Sequence, residues 1–240
     1  ARPSHLPEEL HNNTWVVTRG IEFLRHRDPT RPFFLNLSFH RPHAPVDPPQ
    51  VFYDMYKDRE DIPVPMGDWA HIHDIPVDSI NAWHGRIPAK MLRNLRLAYY
   101  AQVAHIDNQV GRFIMALHRL RTGPTWVVFT SDHGEMLGDH CMFRKTYAYE
   151  GSAKTPLIVC PPDRSRIHSS AAPVIQEDLM PSMLEMAGLP VPKAVEGRSV
   201  VPLLSRKPGQ CRWKPFVHGE HSDCYWPENA MQYLTDGHEK

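Results

Sequence analysis

From Pro88 onward apolar residues recur at steps of three and four: Leu92, Leu95, Tyr99, Val103, Ile106, Val110, Phe113, Leu117 and Leu120. That spacing predicts one apolar face of a long amphipathic helix, ended by Gly123-Pro124. A second helix is predicted over residues 12–27, where Trp15, Ile21 and Leu24 are apolar and an Arg-His-Arg-Asp run precedes Pro29. A third is predicted over about 178–187, with Pro181 in its first turn and Gly188 as its stop. Short apolar runs lie between them. Residues 33–39, after Pro32, are predicted as a buried strand; 126–130 and 156–159 as two more; and Phe216-Val217 and Tyr233-Leu234 as late, short ones. Helices alternating with short, fully apolar strands argue for an α/β layered sheet. Residues 40–88 are proline-rich and weakly periodic, which predicts a functional loop with a short helix or two.

Composition narrows the picture. With 27 Lys plus Arg against 27 Asp plus Glu, the net charge is zero, which argues against a strong nucleic-acid or anionic-membrane binder. No apolar run approaches the roughly 18 residues of a membrane span. The 24 prolines in 240 residues predict stiffened surface loops, and the 16 histidines raise the prior for metal or proton-transfer chemistry. The four cysteines form no CxxC and no dense framework. The chain begins Ala-Arg-Pro-Ser and stops soon after the strand-like Met231-Gln232-Tyr233-Leu234, so an internal piece of a longer protein is expected.

The segment richest in chemistry is Thr130-Ser131-Asp132-His133-Gly134-Glu135-Met136-Leu137-Gly138-Asp139-His140, directly after an apolar strand. In open α/β sheets, ligands bind outside the carboxyl ends of strands. There Asp132 and His133 can both reach one cation, because irregular backbone releases the alternation of a strand, and Gly134 lets the chain turn away. The plainer reading is an Asp capping a turn with a His beside it.

This segment resembles the sulfatase family of the alkaline-phosphatase superfamily, which carries Ser-Asp-His/Asn-Gly after a sheet strand. The similarity continues through Lys145, Tyr149-Glu150-Gly151-Ser152 and Thr155-Pro156-Leu157-Ile158-Val159. Upstream, Pro32-Phe33-Phe34-Leu35 leading to Pro42-His43-Ala44-Pro45 resembles the family's strand and Pro-His-x-Pro loop. Downstream, Asp178-Leu179-Met180-Pro181-Ser182, Ala187-Gly188-Leu189-Pro190 and Glu196-Gly197-Arg198-Ser199 continue it. The resemblance implies an α/β, alkaline-phosphatase-like layered sheet flanked by helices and incomplete at both ends. Residues 1–205 would belong to the catalytic domain and 206–240 would start a smaller C-terminal subdomain.

The resemblance further implies sulfuric-ester hydrolysis with a divalent cation held by Asp132 and His133. Calcium is the family's usual ion; oxygen-rich ligation with one imidazole also admits Mg²⁺, Mn²⁺ or Zn²⁺. Two more acidic ligands and a formylglycine nucleophile would come from a segment before Ala1, so these residues alone are expected to be inactive. Lys145 would aim its ammonium at the sulfate, against the plainer reading of a surface lysine beside Arg144. His43 would touch the sulfate or protonate the leaving alcohol, against a loop histidine between prolines. Asp139-His140 would shape the pocket, with His140 on the substrate side. His218 and His221 would be strand-end residues near the substrate, and Asp107 a structural support for the sheet. The substrate would be a small-molecule or carbohydrate sulfate ester.

Two look-alikes stand apart. Cys160-Pro161-Pro162-Asp163-Arg164 approaches the formylglycine signature Cys-x-Pro-Ser-Arg, but has Asp163 in place of Ser and follows a strand that comes late in the family's order. Cys211, His218, His221 and Cys224 could make a zinc quartet, although the first gap is too long for a knuckle. Rival functions are a phosphodiesterase or phosphonate monoester hydrolase of the same superfamily, and a non-catalytic relative that binds sulfated glycans. Retention of Asp132, His133 and Lys145 together argues against the last.

Overall fold

The computed structural model describes residues 1–76, 83–163, 169–205, 211–222 and 230–239. The chain divides into two compact units, one of residues 1–123 with 136–143, the other of residues 124–135 with 144–240.

Helices α1 (Asn12–His26), α2 (Gln50–Asp54) and α3 (Ala89–Arg119) build the first unit, with single 3₁₀ turns at Glu8–Leu10, Asp68–His73 and Asp139–Cys141. His11 caps α1: its ring Nδ1 accepts from the Asn13 backbone N–H at 3.3 Å. Val17, Gly20, Ile21 and Leu24 recur at helical spacing and are buried where α1 packs on α3. Gly20 permits that packing. A Cβ there would lie 2.6 Å from Leu37 Cδ2 and 3.2 Å from Phe113 Cε2. Trp15 lies off this face and is exposed.

The long helix is where the spacing puts it, and Ile106 and Leu117 of the predicted stripe are buried, but the buried face is shifted to take in polar residues beside the stripe. Val103 and Leu120 are exposed, whereas Leu97, Ala98, Ala101 and Ile106 are buried together with Arg96, Gln102, His105 and Gln109. These polar groups are tied to irregular backbone around them. Arg96 Nη1 donates to Leu137 O at 2.9 Å and to Asp139 Oδ1 at 2.7 Å. Gln102 Nε2 donates to Pro45 O at 3.1 Å and Asp47 Oδ1 at 3.2 Å, and Gln109 Nε2 to Glu8 Oε1 at 3.3 Å. Asp107 is exposed rather than set against a sheet.

Residues 33–39 differ from expectation. Their backbone is extended, but they join no ladder among the described residues, and alternate side chains face outward, Phe34 being 75% exposed. An apolar run becomes a buried strand only when neighbours take up its N–H and C=O groups.

In the second unit β1 (Val127–Thr130) pairs antiparallel with β2 (Leu157–Cys160), in the register Val127↔Cys160 to Thr130↔Leu157. β3 (Val217–His221) and β4 (Met231–Thr235) form another antiparallel pair, Val217↔Thr235 to His221↔Met231. Phe129 and Ile158 are exposed, so the apolar runs mark strands but not full burial. Short helices α4 (Glu150–Ala153), α5 (Leu179–Met186) and α6 (Val201–Ser205) complete the unit. α5 begins and ends as expected, with Gly188 beyond it at φ +69°. Among the described residues no helix is long and apolar enough to cross a membrane.

Among the described residues, the core of this unit holds one buried charge. Asp178 is fully enclosed; Lys214 Nζ reaches its Oδ2 at 2.7 Å and Oδ1 at 2.8 Å, and the backbone N–H groups of Arg198 (2.7 Å) and Ile175 (3.1 Å) complete its shell. Three donor groups offset the desolvation that an unpaired buried carboxylate would suffer.

His105 generates a pH dependence. Its ring is fully buried, 4.7 Å from the His11 ring and 4.9 Å from Phe52, with Nε2 3.3 Å from Thr14 Oγ1 and 3.7 Å from Glu8 Oε1. Burial, with a smaller push from His11, lowers its pKa from 6.5 to about 4. The unfolded chain therefore binds the extra proton first as pH falls. The contribution to stability is complete above pH 6.5 and is lost between there and about pH 4. A shift of this size corresponds to a loss of the order of 3 kcal/mol. Urea unfolding at pH 7.5 and 4.5 should show that loss, and His105→Phe should flatten it; an unchanged slope in the variant would assign the acid sensitivity elsewhere.

Candidate active site

Asp132 and His133 follow β1 immediately, as the sequence predicts. The loop is fixed by its own polar groups. Asp132 Oδ1 accepts from the His133 backbone N–H at 3.0 Å, and Ser131 Oγ donates to His133 O at 2.8 Å. His133 Nδ1 lies 2.8 Å from Gly134 O. A carbonyl only accepts, so Nδ1 carries the proton and the neutral ring has its lone pair on Nε2. That Nε2 lies 3.6 Å from Asp132 Oδ2, and the Asp132 side chain is 81% exposed. Adjacent ligands at right angles on a cation with oxygen bonds near 2.4 Å would be about 3.4 Å apart, so the pair fits a divalent cation. Among the described residues no group of three or more His, Cys, Asp or Glu is placed to hold a metal ion.

Gly134 is required by close approach. Its N–H donates to Ser152 O at 2.8 Å, and a Cβ would sit 2.1 Å from Gly151 O. The next residue, Glu135, accepts from the backbone N–H of Arg144 through Oε1. Together these contacts lay the Asp132 loop beside the segment that carries Lys145. Lys145 lies between Arg144 at φ +69° and Thr146 at φ +90°, two left-handed residues of which the second is β-branched. Gln176 is a contributor that sequence reasoning missed. Its Nε2 donates to the backbone O of Asp132, with Ser131 O at 3.4 Å.

The other predicted residues are distributed as follows. His43 belongs to the first unit and is exposed, its Nδ1 3.0 Å from Ala44 O and its ring 5.2 Å from that of His40. Arg41 holds this loop through a two-pronged pair with Asp47, at 2.8 and 3.2 Å. His140 is also in the first unit. Its Nδ1 accepts from Gly67 N–H at 3.0 Å, its ring lies 4.9 Å from Trp69, and Asp139 pairs with Arg96. These partners staple the loop. His218 and His221 sit three apart on β3, so strand alternation puts them on opposite faces. They do not converge on one ion, and Cys224, the fourth member of that imagined quartet, lies outside the described residues. Cys160 ends β2 and is exposed, and Arg164 of its signature also lies outside the described residues. A cleft of about 440 Å³ in the first unit, lined by residues including Met66, His71, Arg86 and Cys141, contains none of Asp132, His133, Lys145 or His43.

The strand-end Asp-His pair lies beside a lysine-bearing loop, and comparison with known proteins identifies the family. The sulfatase family model matches residues 9–189, and the chain belongs to that family. It is 41% identical to an arylsulfatase of Clostridium perfringens over 249 aligned residues, covering 100% of this chain and 50% of that protein. It is 32% identical to arylsulfatase K of Rattus norvegicus, covering 92% and 43% respectively. Among solved structures, the phosphonate monoester hydrolase of Silicibacter pomeroyi superposes with a TM-score of 0.78 at 25% identity, over 97% of this chain and 51% of that one. The fold is therefore alkaline-phosphatase-like α/β, and the chain spans about half the length of the relatives it matches.

Gly134 supplies the test of this geometry. Gly134→Ala should push the Asp132 loop off Gly151 and destabilise the protein by about 1–3 kcal/mol, as overpacking does. Gly111→Ala in α3, where a Cβ meets nothing within 4 Å, should stabilise it by about 0.5–1 kcal/mol. Thermal unfolding of both variants reads the contrast, and equal shifts would show that the Gly134–Gly151 approach is not tight.

Proposed function

We propose that this chain contributes the cation side and the sulfate side of a sulfuric-ester hydrolase active site. The observation that carries the reading is the Asp132 Oδ2 to His133 Nε2 separation of 3.6 Å at the end of β1, with the histidine tautomer set by Gly134 O. Asp132 and His133 would ligate a divalent cation, calcium first and Mg²⁺, Mn²⁺ or Zn²⁺ as alternatives. When bound, the cation supplies positive charge to the reacting sulfate and to a formylglycine nucleophile contributed from outside these residues. Lys145 would place its ammonium on a sulfate oxygen and neutralise charge as the S–O bond breaks. His43 would act as an imidazolium that protonates the leaving alcohol.

The arylsulfatase relatives favour an aryl sulfate ester as substrate. A second reading, phosphonate monoester or phosphodiester hydrolysis, is favoured by the likeness to the Silicibacter pomeroyi enzyme and by 30% identity to the multifunctional alkaline phosphatase superfamily protein PehA of Trinickia caryophylli. Relative kcat/KM on matched aryl sulfate and aryl phosphonate esters separates the two.

In the full-length parent, Asp132→Ala and His133→Ala should remove bound metal and lower kcat by about 100-fold or more while the fold persists. Lys145→Ala should lower kcat/KM by about 100-fold if its ammonium neutralises charge on the sulfate in the transition state. Normal metal content and turnover in both ligand variants would refute the cation assignment. Normal kinetics with a lowered melting temperature would make Lys145 a structural residue. For His43→Ala, the loss should be largest for esters of high-pKa alcohols, and a uniform loss across leaving groups would reduce His43 to a sulfate contact.

A further inference from the structure

We infer that Gln176 is a positioning residue for the Asp132–His133 cation site, holding the ligand loop in its binding conformation through the backbone carbonyls of Ser131 and Asp132. The inference rests on the reading of Asp132 and His133 as ligands. Gln176 lies 44 residues away in the chain and opens the 3₁₀ turn Gln176–Asp178. Its amide donates to Asp132 O, with Ser131 O at 3.4 Å. The Asp132 carbonyl is thereby drawn toward Gln176. The loop presents Asp132 Oδ2 and His133 Nε2, rather than that main-chain oxygen, as its neighbouring donors.

The anchor beneath Gln176 is rigid. Two residues on, Asp178 is fully buried and bound by Lys214 Nζ and by the N–H groups of Ile175 and Arg198. The turn is pressed against Gly197, where a Cβ would lie 1.8 Å from Glu177 O. A side chain rooted in that turn holds two consecutive peptide groups of a loop whose Asp132 side chain is 81% exposed. The loop's own side-chain bonds fix it only locally, and any remaining ordering left to the ion would weaken binding. Gln176 removes part of the penalty in advance. Its contribution should therefore appear in cation affinity before it appears in stability, as with partners behind metal ligands generally.

The experiment compares the full-length parent with Gln176→Met, which keeps length and loses the donor, Gln176→Ala, and Asp132→Ala as reference. Calcium dissociation constants come from chelator competition, and melting temperatures from the metal-free proteins. Both Gln176 variants should bind calcium about ten-fold more weakly, with metal-free melting temperatures unchanged and the calcium needed for half-maximal hydrolysis raised in step. Unchanged calcium affinity in the Gln176 variants, with binding abolished in Asp132→Ala, overturns the positioning role and leaves the ligands in place. Unchanged affinity in Asp132→Ala overturns the ligand reading, and this inference with it. Weaker binding accompanied by a fall in metal-free melting temperature makes Gln176 a structural residue and also overturns the inference.

Discussion

The first unit depends on a helix face that is buried and polar. Its long loops are rich in proline, and each proline keeps a carbonyl acceptor while removing an N–H donor. Around residues 42–49, Pro42, Pro45, Pro48 and Pro49 leave more acceptors than backbone donors can satisfy. Side chains meet part of the deficit there and brace irregular backbone elsewhere along α3. Gln102 reaches Pro45 O and Asp47, Arg41 doubly engages Asp47, and Arg96 reaches Leu137 O. Burying an arginine or glutamine is unfavourable unless its donors are used, and a carbonyl in an irregular segment is unfavourable unless it is reached. Each removes the other's penalty, which lets unladdered chain pack closely on α3 and holds the His43 loop in a fixed shape.

The second unit solves the same difficulty with a buried charge. Asp178 draws together the chain before α5, the backbone at Arg198 and the Lys214 segment, with Ser182 Oγ donating to Asp178 O and accepting from Val200 N–H at 2.9 Å. These segments are short and mostly irregular, so they share few ladder bonds. One buried carboxylate with several donors is directional in a way that apolar packing is not, and it specifies where the turn holding Gln176 must sit.

These two devices also explain what was legible in the sequence. α1, α3 and α5 were legible because period and stop signals act locally, and β1 to β4 because apolar and β-branched runs are local too. The buried face of α3 was legible only in part, since a hydrophobic stripe ranks Val103 above Gln102, while the loops choose the face that carries donors. Residues 33–39 were misjudged for a related reason: an apolar run declares a preference for burial but not a partner. At the site, Asp132 and His133 were legible as neighbours after a strand, and the family resemblance extended that to Lys145. Gln176 was invisible because its bond spans 44 residues and glutamine carries no motif. The opposition of His218 and His221 was open to inspection, since a spacing of three on a strand already separates faces.

Strain completes the argument about Lys145. Between Leu137 and Thr146 the chain enters the left-handed region at Leu137, Gly138, His140, Cys141, Arg144 and Thr146. For the non-glycine residues this costs of the order of 1–3 kcal/mol each and persists only where surroundings over-determine it. They do so here. Arg96 holds Leu137 O, His140 accepts from Gly67, Gly85 N–H reaches Cys141 O at 2.7 Å, and Glu135 holds the Arg144 N–H. A lysine that only decorates a surface gains nothing from left-handed residues on both sides and would relax into ordinary extended or helical backbone. One whose ammonium must meet a charge at a set position gains preorganisation from the same constraint, because no reorganisation is left for the moment when charge develops. The left-handed backbone at Arg144 and Thr146 fixes the conformation of the segment that carries Lys145.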